Sequence, residues 1–223
     1  IIEPASANFI AKLAYGLTNC PASALAASYM GQKRPLLLLP NMHQSLFDSP
    51  TVQENIARLK SWGNLFLAPR EEEGKNKFPD PKELADEVAH VMNHKADLNA
   101  LVTLGSTLSY LDDVRYLSNY SSGTLGSTIA TELYRFGLNT YAVCGHARVT
   151  PKLATRLVHV KTNSEMLDAI EDLNSKIGFS SMIFAASVLD FAIKNRMQGK
   201  VPSETTGLSF DLESTEKIIR KFD

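Results

Sequence analysis

The densest run of small polar residues in the sequence is Ser118-Asn119-Tyr120-Ser121-Ser122-Gly123-Thr124-Leu125-Gly126, immediately ahead of an apolar helical pattern. A helix start presents unpaired N–H groups and a partial positive charge, and serine hydroxyls add donors, so this segment can hold a phosphate. An ordinary capped helix with a serine-rich lead-in is the alternative. A second small-residue turn, Gly105-Ser106-Thr107, follows an apolar strand. Asp190 stands just past another apolar strand, where its carboxylate can hold an amino group, a ribose or a metal, or merely cap the next segment. Lys200, in Gly199-Lys200-Val201-Pro202-Ser203, is a loop lysine suited to a phosphate or simply solvated. His90 and His94 are four apart, the spacing of a metal pair, but no third ligand accompanies them and a solvated helix face is the simpler reading. Glu71-Glu72-Glu73 reads as a solvated loop and Cys144 as an inert core thiol.

Those residues need a frame. Apolar periodicity and punctuation predict helices over 5–15 (closed by Gly16), 21–30, 50–62 (opened by Ser49-Pro50, stopped by Gly63), 81–94, 124–136 (ended by Gly137) and 164–176, with a last one beginning at Ser214 or Thr215. Short apolar runs predict strands over 36–39, 65–67, 98–104, 140–144, 157–160 and 181–186, with an exposed one over 208–212. The proline-bounded leucines 36–39 read as a central strand of a parallel sheet. Residues 70–81 read as a charged loop, 93–97 as a linker and 108–122 as an irregular polar loop. Strands alternate with helices almost throughout, so the class is α/β with largely parallel sheets. Ligands in such sheets bind at the carboxyl edge, the edge that Gly105 and the serine segment share.

Composition narrows the function classes. With 23 basic and 24 acidic residues among 223, the net charge of −1 gives no electrostatic footprint for nucleic acid or an anionic membrane. The longest aliphatic run is four leucines, too short to cross a bilayer. Cys20 and Cys144 form no disulfide framework, which places the chain in a reducing cytoplasm. It opens at Ile1-Ile2-Glu3-Pro4 and closes at Lys221-Phe222-Asp223, which reads as entry mid-domain and exit inside a helix.

Several segments, taken in order, resemble one family. Pro4-Ala5-Ser6-Ala7-Asn8, the stretch Pro40-Asn41-Met42-His43-Gln44-Ser45-Leu46-Phe47 and the following Pro50-Thr51-Val52-Gln53-Glu54-Asn55-Ile56 are similar to FMN-dependent cysteine decarboxylases. Leu111-Asp112-Asp113-Val114-Arg115-Tyr116-Leu117-Ser118-Asn119, then Ser121-Ser122-Gly123 and Gly126, are similar to the phosphopantothenate–cysteine ligase signature. So are Gly105-Ser106, Ala185-Ala186-Ser187-Val188-Leu189-Asp190 and Gly199-Lys200-Val201-Pro202-Ser203. Together the chain resembles the bifunctional coenzyme A biosynthesis flavoproteins, in which a phosphopantothenoylcysteine decarboxylase is fused to the ligase.

The resemblance implies a partial flavodoxin-like FMN domain over 1–95 and a partial Rossmann-like ligase domain over 96–223. It implies FMN beside Pro4, Ala5, Ser6, Ala7, Asn8 and Met42, with Asn8 and His43 toward the decarboxylase substrate. Nucleotide and substrate fall to Gly105, Ser106, Asp112, Arg115, Asn119, Ser121, Ser122, Gly123, Asp190 and Lys200. Asn119 engages the acyl intermediate and Lys200 the nucleotide phosphates, as catalytic residues. CTP or ATP with Mg²⁺, 4′-phosphopantothenate and cysteine are the partners, no protein metal site is implied, and a homo-oligomer is. The chain departs from the family within 1–95: His43 stands where the family has Asn, Leu46 and Phe47 where it has Met and Trp, and residues 70–79 replace the flap with its redox cysteine. The family's catalytic His lies ahead of the Pro4 segment. These departures predict weak or absent decarboxylation. A non-catalytic flavin-fold binding or regulatory relative is the rival class, and a yellow FMN spectrum is the cheap discriminator for the flavin site.

Overall fold

The computed structural model describes residues 1–67, 70–72, 75–77 and 80–222. The chain divides into two compact units, Ile1–Val88 and Ala89–Asp223.

The first unit runs β1 (Ile2–Ala5), α1 (Ala7–Ala14), α2 (Pro21–Gly31), β2 (Leu37–Pro40), α3 (Gln44–Phe47), α4 (Pro50–Ser61), β3 (Leu65–Phe66), β4 (Arg70–Glu72), β5 (Lys75–Lys77) and most of α5 (Pro81–Asn93). Strands β1, β2 and β3 form a parallel sheet with β2 central, as the proline-bounded leucine run required. Ile10, Leu13 and Ala14 on one stripe of α1 and Val52, Ile56 and Leu59 on one stripe of α4 pack with Ala5 and Leu38 into one core. Each fully buried leucine or isoleucine there contributes about 1.5–3 kcal/mol. Buried Asn64 splices α4 to the sheet, accepting from the Leu36 N–H (3.0 Å) and donating to the Leu59 carbonyl (3.0 Å). The stretch expected as a charged loop contains an antiparallel pair, β4 with β5. Within it, Glu73 and residues 74, 78 and 79 lie outside the described residues. β1 had no signal in the sequence, because its Ile-Glu-Pro-Ala neither alternates nor runs apolar.

The second unit runs β6 (Asn99–Leu104), β7 (Leu108–Tyr110), β8 (Tyr116–Ser118), α6 (Thr124–Arg135), β9 (Asn139–Cys144), β10 (Arg156–His159), α7 (Asn163–Ile177), β11 (Ser181–Phe184), β12 (Phe191–Ile193) and β13 (Leu212–Ser214), ending in a 3-10 turn at Ile218–Lys221. Its main sheet is parallel in the order β10-β9-β6-β11. Reading from β6, two strands add on one side and the fourth on the other, the order of a doubly wound sheet with its switch point between β6 and β11. Both faces are covered. Leu101 and Val143 meet Met166, Ile170 and Leu173 of α7, and α6 packs on β6 and β9.

Five local expectations are corrected here. The polar loop 108–122 contains the antiparallel pair β7–β8. The exposed strand begins at Leu212 rather than Leu208 and pairs with β12. Thr162, not Ser164, caps α7: its hydroxyl accepts from the Glu165 N–H (3.2 Å), and Glu165 in turn accepts from the Lys161 N–H (2.7 Å). The last element is one 3-10 turn, not a helix from Ser214 or Thr215. His90, expected on a solvated face, stacks on Tyr134 at 3.9 Å, with its Nδ1 2.7 Å from the Tyr134 carbonyl. That contact ties the last turn of α5 to the second unit.

Candidate functional site

Three parallel strands of the second unit end side by side, and the sequence places small residues at each end. After β6 the chain turns through Gly105, whose φ of +77° is in the left-handed region that disfavours a side chain. A Cβ there would also stand 2.8 Å from the His146 carbonyl. Ser106 then exchanges backbone hydrogen bonds with His146 past the end of β9, at 2.9 and 2.7 Å. On the other side the Ser187 N–H donates to the Gly105 carbonyl at 2.7 Å. The Thr107 hydroxyl accepts from the Leu189 N–H at 3.0 Å. Loops from β9 and β11 are thus laced to the β6 turn at the switch point.

The serine segment lies across this turn. The Ser118 hydroxyl reaches the Thr107 carbonyl (2.9 Å) and the Ser106 hydroxyl (3.0 Å). Asn119 donates to the Val188 carbonyl at 3.2 Å and is exposed. The Arg148 and Val149 N–H groups both donate to the Ser122 carbonyl, at 3.1 and 3.0 Å. Gly123, at φ +79°, starts α6 with no side chain of its own to cap it. The Gly123 and Thr124 N–H groups donate to the Ser121 and Ser122 hydroxyls at 3.4 and 3.3 Å, which leaves the Leu125 and Gly126 N–H groups of the first turn open at the sheet edge. The Ser122 hydroxyl lies 2.9 Å from that of Thr124. The structure therefore brings Gly105, Ser106, Asn119, Ser121, Ser122 and Gly123 to one edge, with Asp190 one residue past buried Leu189. Asp190 is exposed and lies 3.9 Å from Lys217.

Lys200 is carried by a separate strap. The Asp113 N–H donates to the Gly199 carbonyl (3.3 Å), the Val201 N–H to Asp112 (3.2 Å), and Arg115 to the Val201 carbonyl (3.2 Å). The backbone on both sides of Lys200 is fixed to the loop that leads into β8, while its side chain is exposed.

Asp112, expected to meet the nucleotide or substrate, does something else. It is fully buried and accepts from the Val114 N–H (2.7 Å), the Arg115 N–H (2.6 Å), the Val201 N–H and the Arg115 guanidinium (2.9 Å). Its oxygens are spent on the loop, so it positions Lys200 rather than binding a ligand. Arg115 is correspondingly tied down and half-buried, between Asp112 and Val201. Burial pushes the Asp112 acid up, but the backbone donors and the guanidinium outweigh it and hold the carboxyl below the ordinary aspartate range. A depressed folded value means this stabilisation is full above the unfolded value, about 3.9, and is lost as pH falls through the folded one. We expect acid titration to loosen the 196–201 strap of the parent protein, and Asp112→Ala to show a loosened strap already at neutral pH. Hydrogen exchange at Val114, Arg115 and Val201 checks this. Equal protection in parent and variant would contradict it.

In the first unit, the carboxyl ends of β1 and β2 meet: the Asn41 N–H donates to the Ala5 carbonyl at 3.2 Å. This sets the loop with Met42 and His43 beside the start of α1, where Ser6 caps by accepting from the Phe9 N–H (3.2 Å). Asn8 and His43 are exposed, and Pro4 and Ser6 are too. Ala5 is fully buried and Ala7 partly so, hence they shape the turn rather than offer side chains. Met42 packs partly into the core. A cavity of about 590 Å³ runs beside Pro4, Ser6 and Phe9 along α2, but Asn8, Met42 and His43 do not line it.

Sequence reasoning missed His146, Arg148 and Gly145. The usable signal was a second strand-end glycine, Gly145 after β9, matching Gly105 after β6. Cys144 beside it is 1% exposed, and burial pushes its thiol up, as an inert core residue requires. Among the described residues no three His, Cys, Asp or Glu side chains cluster as a metal site, and no helix is long and apolar enough to cross a membrane.

Residues 95–222 match the family model for the DNA/pantothenate metabolism flavoprotein C-terminal domain. Residues 1–93 match the model named Flavoprotein. The coenzyme A biosynthesis bifunctional protein CoaBC of Thermococcus kodakarensis is 35% identical over 221 residues, 98% of this chain and 54% of that protein. CoaBC of Haemophilus influenzae is 28% identical over 228 residues, covering 98% and 56%. A cysteine/cysteine sulfinic acid decarboxylase from an unknown prokaryotic organism is 28% identical over 232 residues, covering 98% and 63%. The chain spans little more than half the length of the CoaBC relatives it matches.

Proposed function

Because this chain belongs to the DNA/pantothenate metabolism flavoprotein family, whose C-terminal domain covers residues 95–222, we propose that it serves coenzyme A biosynthesis and that its second unit is a Rossmann-like core for nucleotide-dependent ligation of 4′-phosphopantothenate with cysteine. The observation that carries the reading is the edge where Gly105, Ser106, Asn119 and residues 121–123 converge at the switch point.

The chemistry asks for what that edge offers. The pantothenate carboxylate attacks the α-phosphorus of CTP or ATP, the bond to pyrophosphate breaks, and an acyl-nucleotide forms. The cysteine amine then attacks the acyl carbon, expels the nucleoside monophosphate and gives up a proton. Two polyanions must come together, so charge has to be offset at fixed positions. The open N–H groups of α6 and the Ser121 and Ser122 hydroxyls can receive phosphate oxygens. Lys200 supplies a positive charge from a braced loop. Exposed Asn119 offers an amide to a carbonyl or phosphate without adding charge. Mg²⁺, on this reading, travels with the nucleotide phosphates, with exposed Asp190 as an available carboxylate.

The match of residues 1–93 to flavoproteins and the decarboxylase among the relatives favour a second activity in the first unit: FMN-dependent decarboxylation of phosphopantothenoylcysteine. The residues present fit a flavin edge in part. The exposed Asn8 amide on the first turn of α1 and the 41–43 loop held beside it would face the group. FMN, when bound, supplies the two-electron redox step that accompanies loss of CO₂. His43 places an imidazole, of different reach and charge, where the family's short amide stands.

Two assays test the proposal. Pyrophosphate release should require both nucleotide and 4′-phosphopantothenate. FMN should be taken up in a fluorescence titration, with slow CO₂ release that His43→Asn raises. A protein that purifies colourless and takes up no FMN would refute the flavin assignment. Brisk decarboxylation indifferent to His43 would refute the role given to that residue.

A further inference from the structure

The serine segment has a cation beside it, on a loop whose placement is as firm as that of the strap that carries Lys200. Residues 145–149 leave β9 and are stitched at both ends. His146 exchanges two backbone hydrogen bonds with Ser106. Two and three residues on, the Arg148 and Val149 N–H groups both close on the single carbonyl of Ser122, at 3.1 and 3.0 Å. Arg148 therefore has its main chain bonded to the phosphate-type segment itself. Its guanidinium carbon lies 5.7 Å from the ring centre of Tyr120, the residue just ahead of Ser121. Tyr120 is 87% exposed, so no apolar packing explains its presence. Arg148 is exposed too, and among the described residues it has no carboxylate partner.

An arginine with no acidic partner, its backbone fixed and its head rested on an aromatic face, is a guanidinium kept free and oriented. Guanidinium presents parallel N–H groups that match two oxygens of one phosphate, which an ammonium does not. A nucleobase on the Tyr120 face is the competing occupant. The Tyr120 face is already engaged by the guanidinium, and the hydroxyls of Ser121 and Ser122 adjoin it, so phosphate is favoured.

We infer that Arg148 is a phosphate-gripping residue of the second unit, holding the polyphosphate of the nucleotide from the β9 loop while Lys200 acts from the 196–201 strap, with Tyr120 as the platform that orients it. The inference rests on the ligase reading, and it adds a residue that determines affinity.

Equilibrium titration calorimetry on the protein tests it, with CTP, ATP, inorganic tripolyphosphate, cytidine and adenosine as probes. Arg148→Ala should raise the Kd of the bound nucleotide and of tripolyphosphate about tenfold or more, the scale of one lost charge-assisted hydrogen bond. The loss should shrink with added salt. Arg148→Lys should recover only part of it, because the fork is gone. Tyr120→Leu should weaken the same probes by a few fold. In ligation, KM for nucleotide should rise more than kcat falls. If the parent binds nucleotide and Arg148→Ala binds it equally well, the inference is wrong and the ligase reading stands. The inference is equally wrong if cytidine or adenosine alone loses the affinity and tripolyphosphate does not, since the loop then reads the base. If the parent binds none of the probes, the inference and the ligase reading fall together.

Discussion

Lys200→Ala is expected to cut nucleotide-dependent ligation by roughly 10²-fold or more, the scale of removing one aimed charge at a reacting centre. The expectation depends on the separation between what holds the loop and what the loop presents. Gly199 and Val201 are fastened to Asp113, Asp112 and Arg115 through backbone groups. The lysine side chain is exposed and takes no part in that fastening. Truncating it should therefore leave the folded baseline and the unfolding midpoint unchanged, as for most exposed substitutions. Lys200→Arg should restore charge without the compact ammonium and recover a fraction of the rate. Steady-state kinetics with thermal unfolding on the same samples checks both halves. Ligation at the parent rate would remove Lys200 from the site, and a large fall in midpoint would make it a structural residue.

Gly145→Ala should damage both rate and stability. A Cβ on Gly145 would come within 2.3 Å of the Ser106 carbonyl oxygen and 2.9 Å of its carbon, both backbone atoms at the heart of the edge. No rotamer relieves that contact, so the β6 turn or the β9 loop must move. Overpacking of this kind costs about 1–3 kcal/mol, which for a chain of this size is a fall in unfolding midpoint of roughly 2–12 °C. The same shift breaks the exchange between Ser106 and His146 and displaces the serine segment. Misplacement by about 1 Å is enough for a 10²-fold loss in rate. Gly31→Ala is the control, since nothing lies within 4 Å of a Cβ there. It should change neither quantity. Parent-like ligation by Gly145→Ala would mean that the edge is not where the chemistry happens.

What could be read from the sequence follows the range of the interactions concerned. The central strand at Leu37–Pro40 was legible because its apolar run and flanking prolines are local. The helix over Thr124–Arg135 was legible for the same reason, its glycine ends included. The small residues of the site were legible as types, since Gly105 and residues 121–123 stand at punctuation points. What they touch was not. The pairing of Ser106 with His146 and of Ser122 with Arg148 joins positions far apart in sequence, and only the β6–β9 register brings them together. Asp112 shows the same limit from the other side. Its position in a motif suggested ligand contact, whereas its hydrogen bonds, one of them to Val201, make it an internal brace. The β7–β8 pair was hidden because each strand is only three residues long, too short to show an alternating pattern.

The most direct measurement is mass spectrometry of the protein mixed with 4′-phosphopantothenate, Mg²⁺ and either CTP or ATP, first without cysteine and then with it. An acyl-nucleotide is expected in the first stage, disappearing on addition of cysteine as phosphopantothenoylcysteine and nucleoside monophosphate appear. In Asn119→Ala the acyl-nucleotide should persist after cysteine is added. If the parent forms no acyl-nucleotide and no amide product with either nucleotide, the assignment of ligation to the second unit is wrong.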